Sequence, residues 1–175
     1  MSYKIIDNFL EEKDFEELKN LILGSKDNTN FSWNIITEVA NVCNHNDYDQ
    51  KIEEQFWNWY AIHPVYYTVP LSPHFDYIMS LFYNKLDIKS LIRIKVNFYP
   101  YTSKVEEHAS HQDYEFTHFG SVFSLNTCDG FTRMNNGDKV NSVANRMVFF
   151  DPSEYHNSST TSNQKGRYNI NFNWF

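Results

Sequence analysis

Cysteine is scarce in this 175-residue chain, which has only Cys43 and Cys128. Two cysteines that far apart make no disulfide framework and fit no zinc-ligand spacing, so a reducing compartment is expected. No apolar run approaches the length of a membrane span, and Met1 to Leu10 contains no long apolar h-region. These absences predict a soluble cytoplasmic protein with no membrane partner. Positive charge is also short: 15 Lys and Arg stand against 22 Asp and Glu, for a net charge of −7. That balance leans away from a protein whose task is to grip phosphate backbones, so nucleic acid is not an expected partner. Five glycines and five prolines are scattered without a linker or repeat. The length suits a single domain over 1–175. Asn157-Ser158-Ser159 reads as a glycosylation sequon but carries no weight without a secretory signal.

Packing material is plentiful. Hydrophobic residues make up 41% and aromatics 18% of the chain, which excludes general disorder. Tyr3 to Ile6 reads as an edge strand. Phe15, Leu18 and Ile22 fall at helical spacing over Glu11–Leu23, with acidic residues in the first turns and Gly24 at the stop. Residues 25 to 50 are polar and irregular, with a strand expected from Trp33 to Val39. Gln50–Tyr60 and Pro73–Leu86 both read as amphipathic helices, the second with a stripe of Phe75, Ile78, Met79 and Phe82.

After Ser90 the period switches from helical to alternating. Over Leu91–Tyr99, Ile92, Ile94, Val96 and Phe98 share one face, while Arg93, Lys95, Asn97 and Tyr99 share the other. Further strands are expected over His118–Asn126, Phe131–Met134, Lys139–Val143, Arg146–Phe150 and Arg167–Trp174, with a hairpin turn at Asn136-Gly137. Helices followed by many short strands give an α+β class with a sandwich or jelly-roll core over 91–175, buttressed by a mainly helical 1–90.

Within that strand-rich half, His111-Gln112-Asp113, His156 and Arg167 follow one another in a suggestive order. Two His and one carboxylate are the ligands of a non-haem iron(II) site that leaves positions open for other molecules. A His-x-Asp triplet alone means little, since composition predicts about 0.4 of them by chance and the chain has three. His74 and Asp76 begin a helical stripe, where positions i and i+2 diverge. His45 and Asp47 lie in the Asn-rich polar segment with no strand to hold them. Only His111 and Asp113 sit where an extended backbone projects both side chains to one side. His156 taken alone reads as a surface histidine. However, it follows the apolar run Arg146-Met147-Val148-Phe149-Phe150-Asp151, and such a strand is how a rigid scaffold delivers a ligand to a barrel mouth. Arg167 opens an alternating strand in which Tyr168, Ile170, Phe172 and Trp174 oppose Asn169, Asn171 and Asn173. That polar face meets either solvent or a wet cavity.

Residues 91 to 175 resemble the double-stranded β-helix core of the iron(II)/2-oxoglutarate-dependent oxygenases, in particular the small prolyl-4-hydroxylase-like branch. The resemblance rests on several segments. They are His111-Gln112-Asp113, Asn145 to Asp151 with His156, the closing strand Gly166 to Trp174, and Asn126 to Thr132, which resembles an N-x-x-G-x-T hairpin. Asn97-Phe98-Tyr99 is similar to the N-x-Y strand of the nucleic-acid demethylase branch. The chain departs from the pattern in the single glycine of Asp129-Gly130-Phe131 and in Met134, where an aromatic is common. Both departures fall on the substrate-side hairpin and leave the ligand positions intact.

The resemblance implies iron(II) on His111, Asp113 and His156, with 2-oxoglutarate and O2 as co-substrates. It implies that Arg167 clamps the distal carboxylate through a bidentate pair and that Tyr99 is a hydrogen-bonding companion. The implied reaction hydroxylates a C–H bond of a small-molecule or peptide substrate and releases succinate and CO2. His108 and His118 flank the site as supporting groups or decoys, and Tyr114 and Phe116 read as a lid or as packing. Three other readings stay open: a cupin-like metal-binding module without oxygenase activity, a catalytically silent scaffold, and a demethylase of alkylated nucleic acid. A dicarboxylate clamp at Arg167 argues against the first. The acidic balance argues against the third.

Overall fold

The computed structural model describes residues 3–24, 31–37, 39 and 56–175. Its elements in chain order are β1 (Tyr3–Ile6), α1 (Glu12–Leu23), β2 (Asn34–Ile36), β3 (Tyr60–Tyr67), β4 (Val69–Pro70) and α2 (Phe75–Leu86). There follow β5 (Leu91–Pro100), β6 (Phe119–Ser124), β7 (Phe131–Arg133), β8 (Lys139–Asn141), β9 (Arg146–Phe150), β10 (Asn157–Ser158) and β11 (Gly166–Trp174). The major sheet runs β1-β9-β6-β11-β5-β3-β2, with β4 paired to β3, and a minor sheet runs β10-β7-β8. All the strand pairings are antiparallel. This is the jelly-roll arrangement expected of the strand-rich half.

Alternation explains how the layers stack. On β11, Ile170 and Phe172 are fully buried with Ile94 and Val96 of β5 and Phe123 of β6. The same cluster takes in Leu18 and Ile22 of α1 and Ile78 and Phe82 of α2. The apolar face of the major sheet is therefore covered by the two helices, as their apolar stripes require. Its other face carries Asn169, Asn171 and Asn173, all buried. Those asparagines do not meet bulk water; they face inward beside the candidate ligands.

Most expected elements appear within a residue or two of their expected bounds. At the Asn136-Gly137 turn, Gly137 has φ +89, an angle that favours glycine, and β7 and β8 pair as a hairpin across it. Two expectations differ. The helix read over Gln50–Tyr60 is not seen in its described part: Phe56 to Trp59 are turn and coil, and Tyr60 opens β3, while Gln50 to Gln55 lie outside the described residues. Strand β3 was not foreseen because Pro64 in its middle argues against a strand. The fold tolerates that proline because the β3–β5 register shifts between Pro64 and Tyr66 and because β2 pairs β3 only as far as Ile62. Among the described residues, those before 91 therefore contribute four strands to the major sheet as well as two helices.

Candidate functional site

His111 and His156 face each other across an isolated antiparallel bridge between the loop before β6 and the loop before β10. Each backbone N–H donates to the other residue's carbonyl at 2.9 Å. Their ring centroids are 4.7 Å apart. Asp113 is held nearby by its own N–H, which donates to the Pro152 carbonyl at 2.9 Å. One candidate donor atom from each of His111, Asp113 and His156 lies within 4.8 Å of the other two. The long sequence gap between Asp113 and His156 is thus closed by two backbone hydrogen bonds.

The ring nitrogens are arranged for ligation. His156 Nδ1 bonds the Glu154 carbonyl at 3.0 Å, and His111 Nδ1 lies 3.5 Å from the Ala109 carbonyl. A carbonyl accepts only from N–H, so each ring carries its proton on Nδ1 and leaves Nε2 as a lone pair. Burial, and then the neighbouring His156 ring, push His111 down to about 4, which keeps it neutral near pH 7 as a ligand must be.

Asp113 is gripped from both sides. Arg93 Nη2 pairs with its Oδ1 at 2.6 Å. Asn173 Nδ2 and Asn171 Nδ2 donate to Oδ2 at 3.0 and 3.3 Å. Arg93 Nε in turn donates to Asn173 Oδ1 at 3.1 Å. Burial alone would raise this carboxyl, but Arg93, His156, Lys95 and Asn173 together outweigh it and hold Asp113 below the usual carboxylate range. The carboxylate is ionised and fixed in orientation without a metal. His118 supports the same grip: its Nε2 accepts from Asn173 Nδ2 at 3.1 Å, and its Nδ1 bonds the Phe116 carbonyl at 2.8 Å.

Arg167 lies further along the same polar face, opposite Tyr99 in the β11–β5 register. It is 1% exposed. Its Nη2 donates to Thr132 Oγ1 at 2.7 Å and its Nη1 reaches the Ser159 carbonyl at 3.4 Å. Its guanidinium carbon sits 5.6 Å from the centre of the Tyr99 ring. No carboxylate pairs with it among the described residues. A buried guanidinium without a counter-ion is costly. Gly130 makes room for it, since a side chain there would meet the Arg167 Cδ at 2.8 Å and the Thr160 carbonyl at 2.6 Å. The single glycine of Asp129-Gly130-Phe131 therefore sits where the arginine needs it.

Three buried polar atoms beside these residues lack any partner: Arg167 Nε, His108 Nε2 and Asn97 Oδ1. His108 Nδ1 bonds Ser158 Oγ at 2.8 Å, and its ring lies 5.2 Å from that of Tyr99. Unsatisfied buried polar atoms are rare in folded proteins, and a cluster of them outlines a missing polar ligand. A cavity of about 860 Å³ opens on His156 and His118, with Phe119, Phe150, Tyr155 and Trp174 among its walls. Neither Lys95 nor Arg167 lines it.

The structure brings His111, Asp113 and His156 together and places Arg167 opposite Tyr99 further along the sheet. His74 caps α2 away from the site, and His45 and Asp47 lie outside the described residues. The roles of Arg93, Asn171 and Asn173 were missed. The signal was present in the alternation of two strands, but which strands pair, and in which register, is not written in either one.

No protein-family model and no curated protein matches the chain. Solved structures do. A 2OG-Fe(II) oxygenase family oxidoreductase from Burkholderia pseudomallei superposes with a TM-score of 0.66 at 10% identity, covering 98% of this chain and 84% of that one. A prolyl hydroxylase from Trichoplax adhaerens, solved with a hypoxia inducible factor peptide fragment, gives 0.63 at 14% identity, covering 99% and 83%. The non-haem alpha ketoglutarate dependent epimerase SnoN of nogalamycin biosynthesis gives 0.58 at 10% identity, covering 98% and 76%. Across reactions as different as these the shared feature is the scaffold, and this chain has the double-stranded β-helix fold of the solved 2OG-Fe(II) oxygenases.

Proposed function

We propose that the protein is an iron(II)- and 2-oxoglutarate-dependent dioxygenase that hydroxylates a C–H bond of a small-molecule or peptide substrate. The observation that carries this reading is a pair of features on one sheet face. A His-Asp-His donor set has its tautomers and carboxylate already fixed, and further along the sheet lies a fully buried arginine with no counter-ion among the described residues. The donor set suits a ferrous ion with open positions. The arginine suits the distal carboxylate of a dicarboxylic co-substrate. His111, Asp113 and His156 would hold the metal, and Arg167, Thr132 and Tyr99 would hold the co-substrate. When bound, iron and 2-oxoglutarate supply the activation of O2 coupled to oxidative decarboxylation, with succinate and CO2 released.

The chain's own part is positioning. Arg93, Asn171 and Asn173 keep the Asp113 carboxylate from rotating. The Glu154 and Ala109 carbonyls aim the two imidazoles, and burial keeps the His111 ring neutral. Tyr99 and Trp57 sandwich the His108 ring at 5.2 and 5.4 Å, adding apolar surface that excludes water beside Arg167. The epimerase among the structural neighbours marks hydroxylation as the finer part of this reading. A cupin-like module without oxidation has no need of a buried arginine reserved for a dicarboxylate.

The test is anaerobic titration of the iron(II)-loaded protein with 2-oxoglutarate, followed by admission of O2 and measurement of succinate. A weak visible charge-transfer band and slow succinate release are expected. A protein that binds iron stoichiometrically yet shows neither band nor succinate would overturn the oxygenase assignment.

A further inference from the structure

Lys95 is a cation the proposed chemistry does not use. It stands on the polar face of β5 between Arg93 and Asn97 and opposite Asn171 in register. Its ammonium lies 5.5 Å from the centre of the Tyr60 ring. Tyr60 itself stacks on Tyr99 with an interplanar angle of 9°. Lys95 makes no hydrogen bond or ion pair among the described residues. The carboxylate close enough to influence it, Asp113, is already taken by Arg93. Burial, with Arg93 adding, pushes the Lys95 ammonium down to about 8, yet the side chain keeps some exposed surface.

Among the described residues the charge around the site does not balance. Arg93 and Asp113 neutralise each other. On the oxygenase reading, the divalent metal and the dianionic co-substrate also sum to zero. Arg167 and Lys95 are then left as two net positive charges in a place poorly reached by water. Nearby Glu107 does not serve them, because it is committed to Arg133 and Asn157. An uncompensated buried cation is retained at a cost of stability, and a ligand anion that arrives with the substrate relieves it. A lysine presents a compact point charge without the planar fork of arginine, which suits one carboxylate oxygen at close range.

We propose that Lys95 is a specificity-determining residue that binds a carboxylate of the substrate beside the metal site, which makes the substrate an organic acid. The proposal rests on the oxygenase reading for the word substrate, but the anion site itself does not. Nothing in it requires a reaction step, since Lys95 binds and orients.

The test uses acetate, acetamide and inorganic phosphate as probes on protein labelled with 13C and 15N lysine. It is run metal-free and also loaded with zinc and 2-oxoglutarate. The Lys95 resonance is assigned by its loss in Lys95→Met, with Lys95→Arg as a second variant that retains charge and folding. Acetate should move the Lys95 signal saturably and raise its apparent pKa by about one unit, the equivalent of about a tenfold preference for the charged form. Acetamide should do neither. Equal responses to acetate and acetamide, no saturable response to acetate, or a response to phosphate alone would each overturn the carboxylate site. Saturable acetate binding in protein that fails to take up 2-oxoglutarate would instead sink the oxygenase reading and leave the anion site standing.

Discussion

Along β11 successive side chains belong to two different problems. Ile170 and Phe172 point to the helices and are fully buried among Phe82, Phe123 and Ile94. Asn169, Asn171 and Asn173 point the other way and are equally hidden from solvent, but each is used for hydrogen bonding rather than packing. The apolar face gains free energy from surface removed from water. The polar face gains little net, because its hydrogen bonds replace bonds to water; it defines positions instead. The apolar face tolerates swaps that preserve volume, whereas the polar face tolerates only groups that satisfy the same partners.

Substitutions on the two faces should separate these roles. The largest effect is expected from His156→Ala, which should abolish stoichiometric iron retention after desalting, measured by metal analysis, while the metal-free protein stays folded by circular dichroism. Retention of a full equivalent of metal would remove His156 from the donor set. Next comes Phe172→Ala on the apolar face, expected to cost about 3–5 kcal/mol in urea denaturation, with unchanged metal affinity per folded molecule. Loss of metal affinity without loss of stability there would erase the division between the faces.

Arg167→Lys should leave metal binding intact and raise the 2-oxoglutarate concentration required by about 10- to 100-fold, since one charge-assisted bond of a bidentate pair is worth about 1.5–3 kcal/mol. Titration of the charge-transfer band checks it. Asn173→Ala should weaken metal binding by about tenfold, the usual effect of removing a group that orients a ligand, with a smaller stability change than Phe172→Ala.

The smallest effect at neutral pH is a slope. Burial holds His111 down to about 4 and His108 down to about 3, the latter with Arg167 adding to the effect. An unfolded histidine titrates near 6.5, so below that pH the unfolded chain binds more protons than the folded one, and stability falls as pH falls. Urea midpoints of the metal-free protein should therefore drop steadily from about pH 7 to about pH 5. Phe172→Ala should keep the part of that slope due to His108 and His111, because those two rings lie on the other side of the sheet. Asp113 adds to the loss only at more acidic pH, since its carboxyl is held below the usual range.

Much of this architecture was legible before any coordinates, and the reason is periodicity. The alternation of Leu91–Tyr99 and Arg167–Trp174 separated core residues from polar ones correctly, because a strand's period of two admits no other division. The run Arg146–Phe150 was bounded to the residue, since it ends where apolar side chains end. The His111-x-Asp113 triplet stood out from two others only because local structure removed those. Strand β3 was not legible, because Pro64 is exceptional inside a strand and the register shift that accommodates it depends on β5. The role of Arg93 was hidden for a similar reason: it reaches Asp113 only once β5 lies beside β11 in the observed register.

Residue order alone settles which side chains of this protein share a face, where its elements start and stop, and which residue types are on hand for a metal and a dicarboxylate. Local sterics and the backbone period act over a few residues and need no long-range partner. Folding adds the rest: the bridge that seats His111 against His156, the ring of Arg93, Asn171 and Asn173 around Asp113, and the placement of Arg167 and Lys95 with no counter-ion among the described residues. Those relations join strands many residues apart. They depend on pairing, register and burial, which are properties of the assembled sheets and of no single segment.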